Sequence, residues 1–241
     1  MEFSSALARC WLHVTGNPAR AQRSRTRSAI PHALRAAHAP FSPAKTQIKC
    51  EYPDQVGEFR LETARLALRD WHEADRAPFA AMNADPVVME FFPKPMTAAQ
   101  SNALVDNYQA ELEESGYCPW AVEELSTGAF IGFVGLHAVP PYLPFGPGAE
   151  VGWRLACPYW GQGYATEAAV AALQFGFGPL DMGTILSFTA VVNLRSRRVM
   201  ERLGMSRDEA DDFDHPNIAP GHPLRRHVLY SLSRAISTGD R

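Results

Sequence analysis

Tyr159-Trp-Gly-Gln-Gly-Tyr-Ala-Thr-Glu167 is a glycine-rich turn between a predicted strand at 150–155 and a predicted alanine-rich helix at 165–177. Backbone N–H groups converge at such a strand-to-helix turn, and the helix adds a partial positive charge of roughly half an elementary unit. Glycines at 161 and 163 allow the backbone to approach a ligand closely. The turn therefore predicts an anion site, although a plain tight connection fits the same pattern.

The predicted elements around this turn are strands and helices in mixed order. Residues 60–71 alternate polar and apolar side chains and predict one strand, and a short helix at 74–83 stops near Pro86. Thr97-Ala-Ala-Gln100 is a capping box that opens a longer helix ending at Gly116. Further strands are predicted at 117–124, 130–136, 184–192 and 227–232, with a helix at 193–203. This order indicates a mixed α/β sheet.

The composition argues against several classes of protein. No apolar run approaches the roughly 20 residues of a membrane span. The four cysteines, at positions 10, 50, 118 and 157, show no paired spacing, which argues against a disulfide scaffold and a cysteine-based zinc site. The glycine-rich turn lacks both the Gly-Lys-Ser/Thr of a Walker-type loop and the third glycine of a dinucleotide fingerprint.

The net charge of -3 conceals two regions of opposite sign. Residues 1–50 hold eight Lys or Arg and the single acid Glu2, which gives +7. The rest of the chain holds the other 15 of 23 basic and 25 of 26 acidic side chains, which gives -10. A body of that charge repels nucleic acid and attracts cationic ligands, so we expect no nucleic-acid partner and no membrane partner.

The chain divides into a predicted disordered basic extension at 1–56 and one predicted domain at 57–236. The extension is rich in Arg and Ser and poor in acids, as in organellar transit peptides, and it equally fits an inert tail or an over-extended start of translation. A cytoplasmic location is the expectation for the domain.

Three motifs together resemble the GNAT acetyltransferases, and more narrowly their RimJ/RimL-like branch, whose founding members acetylate protein N-termini. They are Glu150-Val-Gly-Trp-Arg-Leu155, Tyr159-Trp-Gly-Gln-Gly-Tyr-Ala-Thr-Glu-Ala168 and Asn193-Leu-Arg-Ser-Arg-Arg-Val-Met-Glu-Arg-Leu-Gly-Met205. The resemblance spans residues 59–234. It departs at Trp160, where the family's loop usually opens with Arg or Gln.

The resemblance implies a GNAT fold of α/β (α+β) class. Such a fold has a mixed, mostly antiparallel central sheet splayed between two parallel strands, with about four helices on both faces. It also implies acetyl-CoA as cosubstrate, no metal, and a monomer or homodimer. The cofactor would lie between the strands at 150–155 and 184–192. The implied cofactor-binding residues are Trp153, Arg154 and Leu155 for the pantetheine arm, Gln162, Gly163, Tyr164, Ala165 and Thr166 for the pyrophosphate, and Asn193, which also caps its helix.

Acetyl transfer to an amine requires a base, because free amines have pKa values of roughly 8 to 10.4. Glu150 is the candidate, and its alternatives are a surface carboxylate at a strand edge or a partner for Arg154. The N–H of Gly152 or Trp153 is the candidate oxyanion donor. Ser196 is the candidate donor to the departing thiolate, or else an ordinary hydroxyl bonded to the helix carbonyl four residues earlier.

The acceptor is expected to be a primary amine, either a protein N-terminus or a small molecule, bound by residues 91–96 and 211–216. The acids at 208–214 favour a cationic acceptor. Asp212, Asp214 and His215 also fit a metal site, but without a fixed ligand set.

The rival function is a non-catalytic acyl-CoA-binding or sensor module. Four arginines of the last helix fit either the cofactor's ribose phosphate or a solvated face: Arg195, Arg197, Arg198 and Arg202.

Overall fold

The computed structural model describes residues 49–51 and 59–234. The predicted extension lies outside these residues except for 49–51. The strands are β1 (Lys49–Glu51), β2 (Arg60–Glu62), β3 (Leu66–Arg69), β4 (Pro119–Glu124), β5 (Ala129–Ala138), β6 (Ala149–Leu155), β7 (Thr184–Ala190), β8 (Ser206–Arg207), β9 (Phe213–Asp214) and β10 (Arg226–Ser233). The helices are α1 (Arg76–Ala84), α2 (Ala98–Ser115), α3 (Tyr164–Phe177) and α4 (Leu194–Arg202), and short 3-10 turns occupy Glu73–Asp75, Cys157–Tyr159 and Glu209–Asp211.

All the described strands belong to one sheet, in the order β1-β2-β3-β4-β5-β6-β7-β10-β8, with β9 also paired to β10. Each pair is antiparallel except β6 and β7, which are parallel. This arrangement confirms the predicted GNAT fold, a mostly antiparallel sheet with one parallel pair and four α-helices among the described residues.

The parallel pair joins only at the start of its two strands. The register links Ala149 to Ile185 and Glu150 to Leu186, and pairing stops there. The two strands therefore diverge toward their carboxyl ends, and each carries an unpaired backbone edge along the opening. An opening of this kind, in the middle of a sheet, can receive a ligand that pairs like an extra strand.

The helices begin and end where the sequence indicates. Gln100 N donates to Thr97 Oγ1 at 3.3 Å and Thr97 N donates to Gln100 Oε1 at 2.9 Å, so the predicted capping box is confirmed. Gly116, with φ of 76°, ends α2 in the left-handed conformation that glycine adopts without steric cost. α1 ends at Ala84, before Pro86, as predicted.

The prediction of one strand over residues 60–71 is wrong. The segment is a hairpin, because Thr63 turns the chain between β2 and β3. Thr63 N donates to Leu66 O at 2.8 Å, and Thr63 Oγ1 accepts from Leu66 N at 3.0 Å. A threonine that bonds local backbone in this way competes with strand pairing. β1, which falls within the predicted extension, pairs with β2.

The core fills both faces of the sheet. On one face Trp120 stacks on Phe59 with ring centroids 4.7 Å apart and meets the edge of Phe175 from α3. On the other face Phe133 packs against Phe79 of α1 and Tyr108 of α2. These large buried rings hold α3 and the α1–α2 pair on opposite sides of β4 and β5. β6 pairs with β5 and therefore lies beside this densely packed centre.

Gly135→Ala tests how tightly this centre is packed. An added Cβ would lie 2.2 Å from Cys118 O and 2.6 Å from Pro119 Cα, both backbone atoms of the neighbouring strand segment. We expect the free energy of unfolding to fall by about 2 to 3 kcal/mol. Gly183→Ala is the control, since a Cβ there meets nothing within 4 Å. Urea denaturation measures both, and equal effects of the two substitutions would contradict the packing described.

Candidate active site

A cavity of about 490 Å³ occupies the opening between β6 and β7. Its walls come from β6, the start of α3, β7, the start of α4 and the segment after α1 that contains residues 91–96. The predicted gap between the strands at 150–155 and 184–192 is therefore present. Most of the candidate residues line this one cavity: Glu150, Trp153, Arg154, Leu155, Gly163, Tyr164, Ala165, Thr166, Asn193 and Ser196.

The glycine-rich turn presents open backbone donors to the cavity. Gly161 and Gly163 have φ of 76° and 82°, and Gly163 is the N-cap of α3. The bond from Glu167 N to Gly163 O, at 3.0 Å, closes the first turn of the helix. The N–H groups of Tyr164, Ala165 and Thr166 precede it and have no carbonyl of the helix to bond. No side chain of the described residues caps them, so the turn can accept an anion.

The turn is held from behind by the β2–β3 hairpin. Arg65 Nη1 donates to Gln162 O at 3.0 Å, and Arg65 Nε donates to Glu167 Oε2 at 2.7 Å. Thr63 Oγ1 donates to Glu167 Oε1 at 2.6 Å. The only acid in the first turn of α3 is thereby directed away from the open N–H groups. Gln162 turns its amide to Pro158 O at 3.1 Å and does not line the cavity with its neighbours.

Trp160, at the position where the family's loop usually has Arg or Gln, has a structural role. Its Nε1 donates to Leu155 O at 2.7 Å, and the guanidinium of Arg195 lies 4.6 Å from its ring centroid. Arg195 also pairs with Glu90. The indole therefore ties the end of β6 to the turn and to the start of α4.

Fewer backbone groups of β6 are open toward the gap than predicted. Ala156 N donates to Ile131 O at 3.0 Å, and alternate residues of a strand direct their backbone groups to opposite edges. Gly152 and Arg154 thus bond β5, and the predicted backbone contact of Arg154 with the pantetheine arm is wrong. Trp153 faces the opening. Its neighbours on that edge already accept from side chains: Val151 O from Ser187 Oγ at 2.9 Å and Leu155 O from Trp160.

Glu150 is the one carboxylate of the described residues that lines the cavity. It is only 5% exposed and makes no hydrogen bond or ion pair with any described residue. Burial raises its pKa to about 7, while His137 opposes the rise and Glu111 adds to it. Both alternatives are therefore wrong, because Glu150 is neither a surface carboxylate nor a partner of Arg154.

A histidine and a second carboxylate lie beside Glu150, and sequence reasoning missed both. His137 is directly opposite Glu150 in the register of β5 and β6. Its Nδ1 lies 2.6 Å from Glu111 Oε2, and Glu111 Oε1 accepts from Ala138 N at 2.9 Å. Burial lowers the pKa of His137, but the contact with Glu111 outweighs burial and raises it overall. The register that brings His137 to Glu150 was not available from the spacing of the two residues.

The start of α4 is ordered by Asn193, as predicted. Its Oδ1 accepts from Ser196 N at 3.2 Å, and its Nδ2 donates to Ser196 Oγ at 3.1 Å and to Thr189 Oγ1 at 2.9 Å. Ser196 Oγ thus accepts a hydrogen bond from the cap. Arg198 and Arg202 line the cavity, whereas Arg197 donates to Val191 O at 3.1 Å.

The acidic cluster at 208–214 does not reach the cavity. Asp212 pairs with Arg207, Asp214 pairs with Arg225 at 3.2 Å, and Asp208 accepts from Ala210 N. Among residues 211–216 only His215 lines the cavity, whereas all of residues 91–96 do. The structure therefore does not support the expected attraction of a cationic acceptor by this cluster.

The described part of the chain has neither a cluster of metal ligands nor a membrane-spanning helix. Within it, no group of three or more His, Cys, Asp or Glu side chains is arranged to hold a metal ion. None of its helices is long and apolar enough to cross a membrane.

Residues 65–206 match the family described as an acetyltransferase (GNAT) domain, and the protein belongs to that family. Acetyl-CoA-dependent acetyl transfer follows from this membership in general terms. Among relatives, the chain is similar to the uncharacterized protein YkkB of Bacillus subtilis (strain 168), with 33% identity over 61% of this chain and 84% of the relative. It is also similar to the FsC-acetyl coenzyme A-N(2)-transacetylase of Aspergillus fumigatus, with 29% identity over 72% of this chain and 76% of the relative.

A solved structure with a similar fold is the ribosomal-protein-S5-alanine acetyltransferase of Vibrio fischeri. The TM-score is 0.58 and the sequence identity 18%, and the match covers 73% of this chain and 96% of that one. At that identity the likeness shows the fold alone.

The burial of Glu150 predicts an effect on stability. A carboxyl group whose pKa rises from 4.5 to about 7 on folding stabilises the protein only while it is protonated. That contribution is complete below pH 4.5 and is lost as the pH rises through 7. Relative to Glu150→Gln, the wild-type protein should therefore lose up to roughly 3 kcal/mol of unfolding free energy between pH 4.5 and 8.

Urea denaturation at several pH values measures this difference. Glu113→Gln, on the exposed face of α2, is the control for the substitution itself. A constant difference between the wild-type protein and Glu150→Gln at every pH would contradict the assignment of a buried, ionisable Glu150.

Proposed function

We propose that the protein is an N-acetyltransferase that moves an acetyl group from acetyl-CoA to a primary amine by direct attack on the thioester. The observation that carries this proposal is the meeting of two features in one cavity. One is a buried carboxylate that makes no hydrogen bond to any described residue, and the other is a turn of open N–H groups at the start of α3. A base and an anion cradle are what the reaction and its cosubstrate require.

The residues present fit the cosubstrate. The pyrophosphate would be bound by the N–H groups of residues 163–166, where the helix dipole also favours negative charge. The pantetheine arm carries two amides, and one of its N–H groups would donate to the backbone carbonyl of Trp153, the position of β6 left open toward the gap. Arg198 and Arg202 line the same cavity from α4 and would face the ribose phosphate.

The proposed chemistry uses three groups of this chain. Glu150 removes a proton from the ammonium form of the acceptor, directly or through one water, and the neutral amine nitrogen attacks the acetyl carbonyl carbon. The Trp153 N–H donates to the oxygen that becomes negative. The C–S bond then breaks while the hydroxyl of Ser196 donates a hydrogen bond to the departing thiolate. The second proton of the attacking nitrogen passes to that sulfur, so the products are the neutral amide and the thiol of CoA. A pKa of Glu150 near 7 suits a base that works at neutral pH.

The contact between His137 and Glu111 gives the abstracted proton a next acceptor. His137 is the cross-strand neighbour of Glu150, and Glu111 fixes the orientation of its ring. Proton transfer through a histidine held by a carboxylate is chemically reasonable. His137 thus acts in the proposal as a positioning and relay residue rather than as the base.

The proposed acceptor is a primary amine, either a protein N-terminus or a small molecule. The Aspergillus fumigatus relative is named for transfer to a nitrogen called N(2), and the Vibrio fischeri structure for transfer to the alanine of a ribosomal protein. Both names support an amine acceptor. The RimJ/RimL-like branch and the cytoplasmic location stay predictions.

Glu150→Gln separates an enzyme from an acyl-CoA sensor. Loss of a general base lowers kcat by about 10² to 10⁴-fold while CoA binding stays the same. In the wild-type protein, log (kcat/KM) should rise with pH to a plateau above about 7, and in the variant this step should disappear. A thiol-release assay with acetyl-CoA against peptides, polyamines and amino sugars measures turnover. Tight CoA binding with no turnover on any acceptor would favour the sensor.

Gly163→Ala tests the anion cradle. Gly163 has φ of 82°, so an alanine there is strained by about 1 to 2 kcal/mol and shifts the N–H groups that follow. We expect the Kd for CoA, measured by titration calorimetry, to rise about tenfold. Gly116→Ala is the matched control, because Gly116 has φ of 76° but lies at the end of α2. If both variants bound CoA equally well, the pyrophosphate would lie elsewhere.

A further inference from the structure

Arg154 is a buried cation that forms no ion pair with any carboxylate of the described residues. Its side chain lies on the same face of β6 as Glu150, is 5% exposed, and lines the cavity. The guanidinium makes a single hydrogen bond among the described residues, from Nη1 to Asn83 Oδ1 at 2.6 Å. Its Nε has no hydrogen-bond partner in the part of the chain that the structure describes. Arginine carries five N–H donors, so most of its hydrogen-bonding capacity is unused.

The surroundings hold this guanidinium in place without neutralising it. The ring of Phe92 lies 4.2 Å from its central carbon and that of Phe133 lies 5.4 Å away. Asn83 is itself fixed, because its Nδ2 donates to Ser101 Oγ at 2.8 Å. Aromatic faces and an amide oxygen orient a cation, but neither supplies a negative charge. Desolvation accordingly lowers the pKa of Arg154 to about 10.

The charges that line the cavity are unequal. The cations are Lys94, Arg154, Arg195, Arg198 and Arg202, and Glu150 is the only acid among the described residues. Arg195 is balanced by Glu90, and Arg198 and Arg202 come from α4 on the cofactor side. Arg154 instead meets residues 91–96, the segment after α1. A buried, unpaired charge is costly unless a ligand pairs with it.

We propose that Arg154 binds an anionic oxyacid group, a carboxylate or a phosphate, carried by the acceptor amine. The inference rests on the proposed function and narrows it. The acceptor would bring its amine to Glu150 and its anion to Arg154, along one face of β6. A guanidinium forms its strongest pairs with carboxylate and phosphate, and one already oriented by protein contacts loses little freedom on binding.

The spacing of the two groups restricts the acceptor further. Arg154 lies four positions after Glu150 in the strand, which places their Cα atoms about 13 Å apart. Both side chains leave the same face of the strand. The amine and the anion of the acceptor should therefore be several bonds apart, as in an ω-amino acid or a short peptide with a free carboxylate. Polyamines, which carry a second positive charge, should be poor acceptors.

Matched acceptors test this preference. We would measure kcat/KM by thiol release for ω-amino acids of increasing chain length, for their primary amides, and for aminoalkyl phosphates. The wild-type protein should prefer an anionic acceptor over its amide by about ten- to a hundredfold, as expected for hydrogen bonds to a charged group. The carboxylate and phosphate arms show which oxyacid is bound. A preference for amides or polyamines would overturn the proposal.

Two variants show whether Arg154 is the cause. Arg154→Met removes the charge, and Asn83→Asp places a carboxylate beside the guanidinium while keeping its packing. Both should reduce the preference to about one. Arg198→Met, which removes a cavity cation on the cofactor side, should keep it. An unchanged preference in folded Asn83→Asp would overturn the proposal even if Arg154→Met failed to fold.

CoA binding separates this proposal from its alternatives. If Arg154 instead holds the cosubstrate, Arg154→Met raises the Kd for CoA and lowers kcat/KM equally for all acceptors, which overturns the acceptor role. If amines are acetylated without any preference for an anion, this inference fails and the proposed function stands. If no amine is acetylated while CoA binds, both the proposed function and this inference fail.

Discussion

The divergence of β6 from β7 is the constraint on which the rest of the site depends. Two strands that stop pairing inside a sheet leave backbone groups that must find other partners. Side chains take part of that role, since Ser187 and Trp160 donate to the carbonyls of Val151 and Leu155. The backbone of Trp153 is left for a ligand. The aromatic core packs on both sides of β4 and β5, and β6 is joined to this core through its full register with β5.

The cavity contains a buried carboxyl group and a buried guanidinium on one strand that are not in contact with each other. Glu150 and Arg154 lie on the same face of β6, yet neither forms an ion pair with the other. Desolvation disfavours both charged forms, so it raises the pKa of the carboxyl group and lowers that of the guanidinium. A bipolar ligand lying between them would relieve both penalties together.

Local signals in the sequence predicted the local structure well. The capping box at Thr97, the cap at Asn193 and the glycine-rich turn each depend on neighbours within a few positions, and each forms as expected. Features that depend on register or on distant partners were beyond prediction. His137 meets Glu150 only because β5 and β6 pair in one register. The acids at 208–214 fit a binding surface by sequence alone, whereas in the fold Asp212 and Asp214 pair with Arg207 and Arg225. Thr63 likewise turns the chain within a segment whose alternating pattern predicts one continuous strand.

The link between Arg65 and Glu167 joins residues 102 positions apart in the chain. The β2–β3 hairpin at the start of the domain thus supports the glycine-rich turn from behind. A newly made chain cannot assemble that turn until synthesis has passed α3 and the early hairpin has docked against it. Occupancy by the cosubstrate should therefore lend stability to the N-terminal strands as well as to the cavity, through mass action on the folded state.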